Sequence, residues 1–149
     1  MTPDRTWDPL RFQRGTRGFA AFVTALNGFA VLGASLVVAP EAGLPAPLDA
    51  WIIILGTAAG IGHLVAAVGL VRARAWAPNA VAYLAAIGIG TAVFALLMIA
   101  RANEAILGAA DATAIGFFLW MIGTWIVAAR FARKAYTRPT VGATTFAAA

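Results

Sequence analysis

Hydrophobic residues run along this chain in four long blocks, and the charged residues fall almost entirely between them. A helix crosses the hydrocarbon core of a bilayer in about 20 residues. The blocks therefore predict four transmembrane helices, over 18–38, 50–71, 79–100 and 112–129. The first stops before Pro40, and the second is closed by Arg72 and Arg74. The third starts after Pro78 and ends before Arg101; the fourth is closed by Arg130, Arg133 and Lys134. Connections this short predict antiparallel neighbours, hence an all-α, antiparallel four-helix bundle. Residues 1–149 read as one integral membrane domain, with a cytoplasmic tail from about residue 130 that becomes loosely held from Arg138.

Charge orients the bundle. Ten of the 11 basic residues fall before the first block, between the second and third, or after the fourth; Arg101 alone falls on the other side. The positive-inside bias places both termini in the cytoplasm. A cleaved signal peptide fits the first block poorly, because Pro40 and Glu41 stand where small residues are wanted. Trp51 and Trp76 bracket the second helix as interfacial anchors. Trp7, Leu10 and Phe12 lie among the N-terminal arginines, either against the headgroups or in a free arm.

Composition agrees: 62% of residues are hydrophobic and only 11% charged, against about a quarter charged in soluble domains. A net charge of +5 would suggest nucleic acid in a soluble chain. Here it suggests the anionic inner leaflet, with no nucleic-acid partner. The arginine, alanine and glycine content points to a bacterial chain, and so to the bacterial inner membrane. There is no cysteine and a single histidine, which excludes thiol chemistry and multi-histidine metal sites.

No Asp, Glu, Lys or Arg lies within an expected span, and the one ionisable candidate is His63. At 100° per residue, Gly56, Ala59, Gly60, His63, Ala66 and Ala67 share a face. Gly56 and Gly60 have the spacing that lets helices approach closely, so His63 is expected in a helix–helix seam. It should be buried, neutral and hydrogen-bonded, with Asn27 as first-choice partner, since the two match in depth to about 3 Å. Thr91 and Thr124 fall near the same plane, and Thr24 and Ser35 lie on Asn27's side of its helix. Asn27, His63, Thr91 and Thr124 thus form a candidate buried polar layer. It either holds helices together, with each threonine also able to bond its own turn, or lines a small polar pocket. His63 as a ligand to haem or a pigment, or as a proton-handling group, is the remaining alternative. Phe117, Phe118, Trp120 and Trp125 point in too many directions for all to be buried, so some face lipid or another subunit. The outer carboxylates Glu41, Asp49, Glu104 and Asp111 read as solvated surface charge.

Gly62-His63-Leu64, Gly69-Leu70 and Arg74-Ala75-Trp76-Ala77 together resemble a pattern in small uncharacterised four-helix integral membrane proteins of actinobacteria. The resemblance implies a four-helix fold and carries no activity. With no catalytic motif, metal cluster or nucleotide loop, the expected role is non-enzymatic and without cofactor: an accessory or scaffold subunit meeting other membrane subunits or its own copies. The alternatives are a small oligomeric transporter or carrier, and a cofactor-binding subunit.

Overall fold

The computed structural model describes residues 9–38, 40, 46–102 and 109–136. Within them lie four long helices: α1 (Pro9–Gly33), α2 (Ala46–Val71), α3 (Ala77–Ala102) and α4 (Ala109–Tyr136). Each contains a stretch long and apolar enough to cross a membrane: Gln13–Val37, Ala50–Val71, Ala77–Leu97 and Ala112–Tyr136. Trp7, Glu41, Glu104 and the segment from Arg138 lie outside the described residues.

The helix ends differ from the expected spans for local reasons. Helix α1 starts at Pro9, well before residue 18. Proline suits a first helical position because its N–H would have no partner there. Arg11, Arg14 and Arg17 therefore ride on helix, not on a free arm. A π-helical turn, Ala34–Val38, follows α1. Helix α3 starts at Ala77, so Pro78 sits inside its first turn, where a missing N–H costs no hydrogen bond. Helix α4 continues past Ala129 to Tyr136. Arg133 and Lys134 thus occupy its last turn, where cations oppose the negative end of the helix dipole.

A tight turn joins α2 to α3. The Arg74 amide donates to the Gly69 carbonyl at 2.9 Å, and the Ala73 amide to the Leu70 carbonyl at 3.1 Å. This pair of bonds is the Schellman motif, which closes a helix through a residue in left-handed conformation, usually glycine. Here that residue is Ala73, at φ 54°. The Trp76 indole folds back over Gly69: a Cβ there would stand 2.8 Å from Trp76 Cη2. Gly69 and Trp76 are thus needed together.

Helix α1 packs on α2 and α4, and α3 packs on α4 and α2, with α1–α2 the most extensive interface and α2–α3 the sparsest. At the α1–α2 seam the backbones almost touch. A Cβ on Gly28 would stand 3.0 Å from the Gly60 carbonyl oxygen, and a Cβ on Gly60 would stand 3.0 Å from that of Gly28. Gly56 faces Ser35 in the π-helical turn. Between α2 and α3, Gly62 meets Leu84; between α1 and α4, the Phe19 and Phe131 rings meet edge-on at 4.9 Å.

Small side chains fill the inside. One core cluster joins Ala20, Ala21, Ala66, Ala77, Ala128 and Ala132 with Val23, Leu70 and Val81. A second joins Ala85, Ala92, Met121 and Trp125. The large apolar side chains point outward: Tyr83 is 72% exposed, Phe22 65% and Phe94 65%. Water would penalise that distribution, but lipid does not, because helix association in a bilayer relies on close packing of small residues. The start of α1, the α2–α3 turn and the end of α4 carry Arg14, Arg17, Arg72, Arg74, Arg130, Arg133 and Lys134.

Two outcomes follow from this packing. Gly28→Leu or Gly60→Leu should lower stability in lipid or mild detergent by about 1–3 kcal/mol. Gly90→Leu and Gly116→Leu, where an added Cβ meets nothing within 4 Å, should leave it nearly unchanged. Equal losses at all four sites would contradict the seam. Separately, Ala73→Gly removes left-handed strain and should raise stability by about 0.5–1 kcal/mol in reversible unfolding.

Candidate functional site

The polar groups of the core centre on two consecutive residues of α4, Thr124 and Trp125. Neighbours on a helix project about 100° apart, so they reach different helices. Thr124 addresses α1: its Oγ1 lies 2.7 Å from Asn27 Oδ1 and 2.9 Å from the Met121 carbonyl oxygen. One hydroxyl proton serves one of these acceptors at a time. Turning the Asn27 amide over resolves the competition, since Nδ2 then donates to Thr124 while the hydroxyl donates to Met121. As the amide stands, Asn27 Nδ2 is buried without a partner.

Trp125 addresses α2. Its indole Nε1–H donates to His63 Nε2 at 2.9 Å, and His63 Nδ1 lies 2.8 Å from the Ala59 carbonyl oxygen, one turn back on α2. An indole nitrogen only donates and a backbone carbonyl only accepts. One protonation state satisfies both: a neutral imidazole with its proton on Nδ1. His63 and Trp125 are both buried, at 3% and 6% exposure. Helices α2 and α4 are not among the closely packed pairs, so this bond spans the diagonal of the bundle.

Glycines make room for it. Gly88 on α3 lies under the Trp125 ring, where a Cβ would stand 2.5 Å from Cζ2. Gly28 on α1 lies against His63, where a Cβ would stand 3.1 Å from the histidine Cβ. Trp125 therefore touches α3 while bonding α2, and His63 is wedged against α1. All four helices meet at this pair.

No protein-family model, curated protein or solved structure matches this chain. The site is therefore read from its own geometry.

Two expectations need correction. Asn27 is not the partner of His63: it faces Thr124, and Trp125 takes the imidazole. Thr91 does not join the layer. It lies on an exposed face of α3 and its hydroxyl donates to the Ile87 carbonyl at 3.0 Å. Its depth is right, but its direction around the helix is not. Of the four α4 aromatics that could not all be buried, Trp125 lies in the core, while Phe117 and Trp120 are exposed. Thr24 is buried but bonds its own turn, donating to Ala20 at 2.7 Å. Gly60 faces α1, and Gly56 faces the π-helical turn that follows it.

Gly28, Gly88 and Trp125 were missed. A signal existed for the tryptophan: a buried indole N–H needs an acceptor, and a histidine is among the few acceptors in these spans. Nothing local distinguishes Gly88 from Gly90.

The arrangement can hold helices in register; it offers little for chemistry. Both ring nitrogens of His63 are engaged within the protein. A metal at Nε2 would have to displace the indole and strand its N–H. Among the described residues no group of His, Asp or Glu is placed to hold a metal ion. Trp125→Phe keeps the ring but removes the donor, leaving Nε2 unpaired, and should cost about 1–3 kcal/mol. A double-mutant cycle with His63→Leu in lipid should return a coupling of about 0.6–1.7 kcal/mol. Zero coupling would mean that the bond contributes nothing in a bilayer.

Proposed function

We propose that this chain is a non-enzymatic, multi-pass protein of the bacterial cytoplasmic membrane that serves as an accessory or scaffold subunit of a larger membrane assembly. It is an antiparallel four-helix bundle with both termini in the cytoplasm. The contact pairs support the antiparallel arrangement: Phe19 with Phe131 and Asn27 with Thr124, Gly28 with Gly60 and Ser35 with Gly56. In each set, numbers rise on one helix as they fall on the other. The basic residues at one end support the orientation.

The observation that carries the functional reading is the state of His63. No Asp, Glu, Lys or Arg accompanies it within the expected spans, and both its nitrogens are bonded, to Trp125 and Ala59. Proton-coupled transport needs an intramembrane group free to trade a proton or cation, and ligation of haem or a pigment needs a free lone pair. Neither is on offer. What the chain presents outward is an alanine-cored body with a large apolar surface, including Phe117, Leu119 and Trp120 on α4. Such a body suits contact with other membrane subunits or a second copy. The carrier reading retains one supporting observation, the buried side of the Asn27 amide that Thr124 does not reach.

The test is gentle purification of the tagged chain from its native membrane. A stoichiometric membrane partner should copurify, and His63→Leu should preserve the fold. A chain that purifies alone, together with loss of a transport activity in correctly folded His63→Leu or Asn27→Leu, would favour the carrier instead. Reporter fusions check orientation: a C-terminal fusion should be active with a cytoplasmic reporter and silent with a periplasmic one.

A further inference from the structure

We propose that the core encloses one ordered water molecule, held on α1 between the Asn27 amide and the Thr24 hydroxyl. Both residues are fully buried, at 0% exposure, and stand three positions apart on α1. Residues at that spacing are neighbours on one helix face, and helical side chains lean toward the N-terminal end. The Asn27 amide therefore lies over the turn that carries Thr24.

Each group has hydrogen-bonding capacity left over. Thr124 meets the Oδ1 end of the amide, and the Nδ2 end has no partner. Turning the amide over puts Oδ1 there instead, so one polar end stays unpaired in either orientation. The Thr24 hydroxyl gives its proton to the Ala20 carbonyl at 2.7 Å, which leaves its oxygen free to accept. Nδ2 does not bond that oxygen directly. The core cluster that includes Ala20 and Val23, beside Thr24 on the helix, also holds Ala66 and Ala128. These side chains are short and offer nothing polar.

The chemistry of the two groups selects water. Water accepts from Nδ2, or donates to Oδ1 if the amide is turned, and in both cases donates to Thr24 Oγ1. It bridges groups that stand too far apart for a direct bond, and about two to four polar partners suffice to hold it in a protein interior. A hard cation takes about six or more oxygens, and no Asp or Glu lies within the expected spans. An anion would meet one amide donor and no positive charge. The bridge extends the polar layer by one turn of α1 toward the basic end of the bundle. It rests on the packing of the four helices and does not depend on the scaffold role.

The test is solid-state NMR of the full-length chain in lipid, labelled with nitrogen-15 at asparagine, with Asn27→Leu used to assign the side-chain signal. Magnetisation should pass from water protons to the Asn27 side-chain amide. Thr24→Val, which keeps the side chain's shape and removes the hydroxyl, should abolish that transfer while the backbone spectrum stays folded. Thr24→Ser should retain it. Ser35→Ala removes another hydroxyl that bonds its own turn and should also retain it. Thr24→Val should lower the melting temperature of the wild type but not that of Asn27→Leu. Absence of transfer in the wild type, or transfer undiminished in folded Thr24→Val, would overturn the site. A larger molecule bound at Asn27 in a high-resolution map would overturn the water and favour the carrier reading.

Discussion

A tryptophan N–H in the middle of an apolar bundle must find an acceptor, and in this protein it finds His63. In an apolar core no water takes its place, and an unpaired buried donor costs several kcal/mol. Much of the core follows from that one bond. It fixes the histidine as neutral with its proton on Nδ1, because Ala59 can only accept and Trp125 can only donate. It ties two helices that otherwise scarcely touch. It sets the rotation of α4, which brings Thr124 to Asn27 on the adjoining face. It also requires glycine where the Trp125 ring presses on α3, at Gly88.

The second constraint is the inverted size distribution. Alanine and glycine line the interfaces, while phenylalanine, leucine and tyrosine coat the outside. Small residues let α1 and α2 approach until backbone faces backbone. At that distance dispersion forces and a few interhelical hydrogen bonds can compete with lipid contacts. The polar layer adds direction to this packing. Asn27 with Thr124 and His63 with Trp125 each pair specific atoms, so they discriminate against rotated or shifted arrangements that would bury the same area. The same features explain why the core is poor in chemistry: its polar atoms are mostly engaged in holding one another.

The four helices were legible because length and apolarity suffice to recognise a helix long and apolar enough to cross a bilayer. Their ends were less so. The apolar block starts at Gly18, but helix starts at Pro9, because arginines interrupt hydropathy without interrupting helix. Pro78 reads as a break and is instead a first-turn residue. Within the site, the small-residue face placed His63 in a seam, and depth brought Asn27 and Thr124 to one level. Depth says nothing about azimuth, however. Asn27 was therefore assigned to the wrong partner, and Thr91, at the right depth, points away from the core. Apolar bulk left open which of the four α4 aromatics is buried, whereas the single N–H of Trp125 decides the matter. Ala73 carried no sequence signal either, since a left-handed helix end normally announces itself with glycine.

The central claim is that His63 is a locked structural residue, a neutral Nδ1–H imidazole whose Nε2 accepts from Trp125. Solid-state nitrogen NMR of the chain in lipid, labelled at histidine and tryptophan, reads this directly. The account predicts a protonated Nδ1, an unprotonated Nε2 and transfer of magnetisation between Nε2 and the Trp125 indole N–H at neutral pH. A proton on Nε2, an imidazolium, or an Nε2 with no coupling to the indole would contradict it.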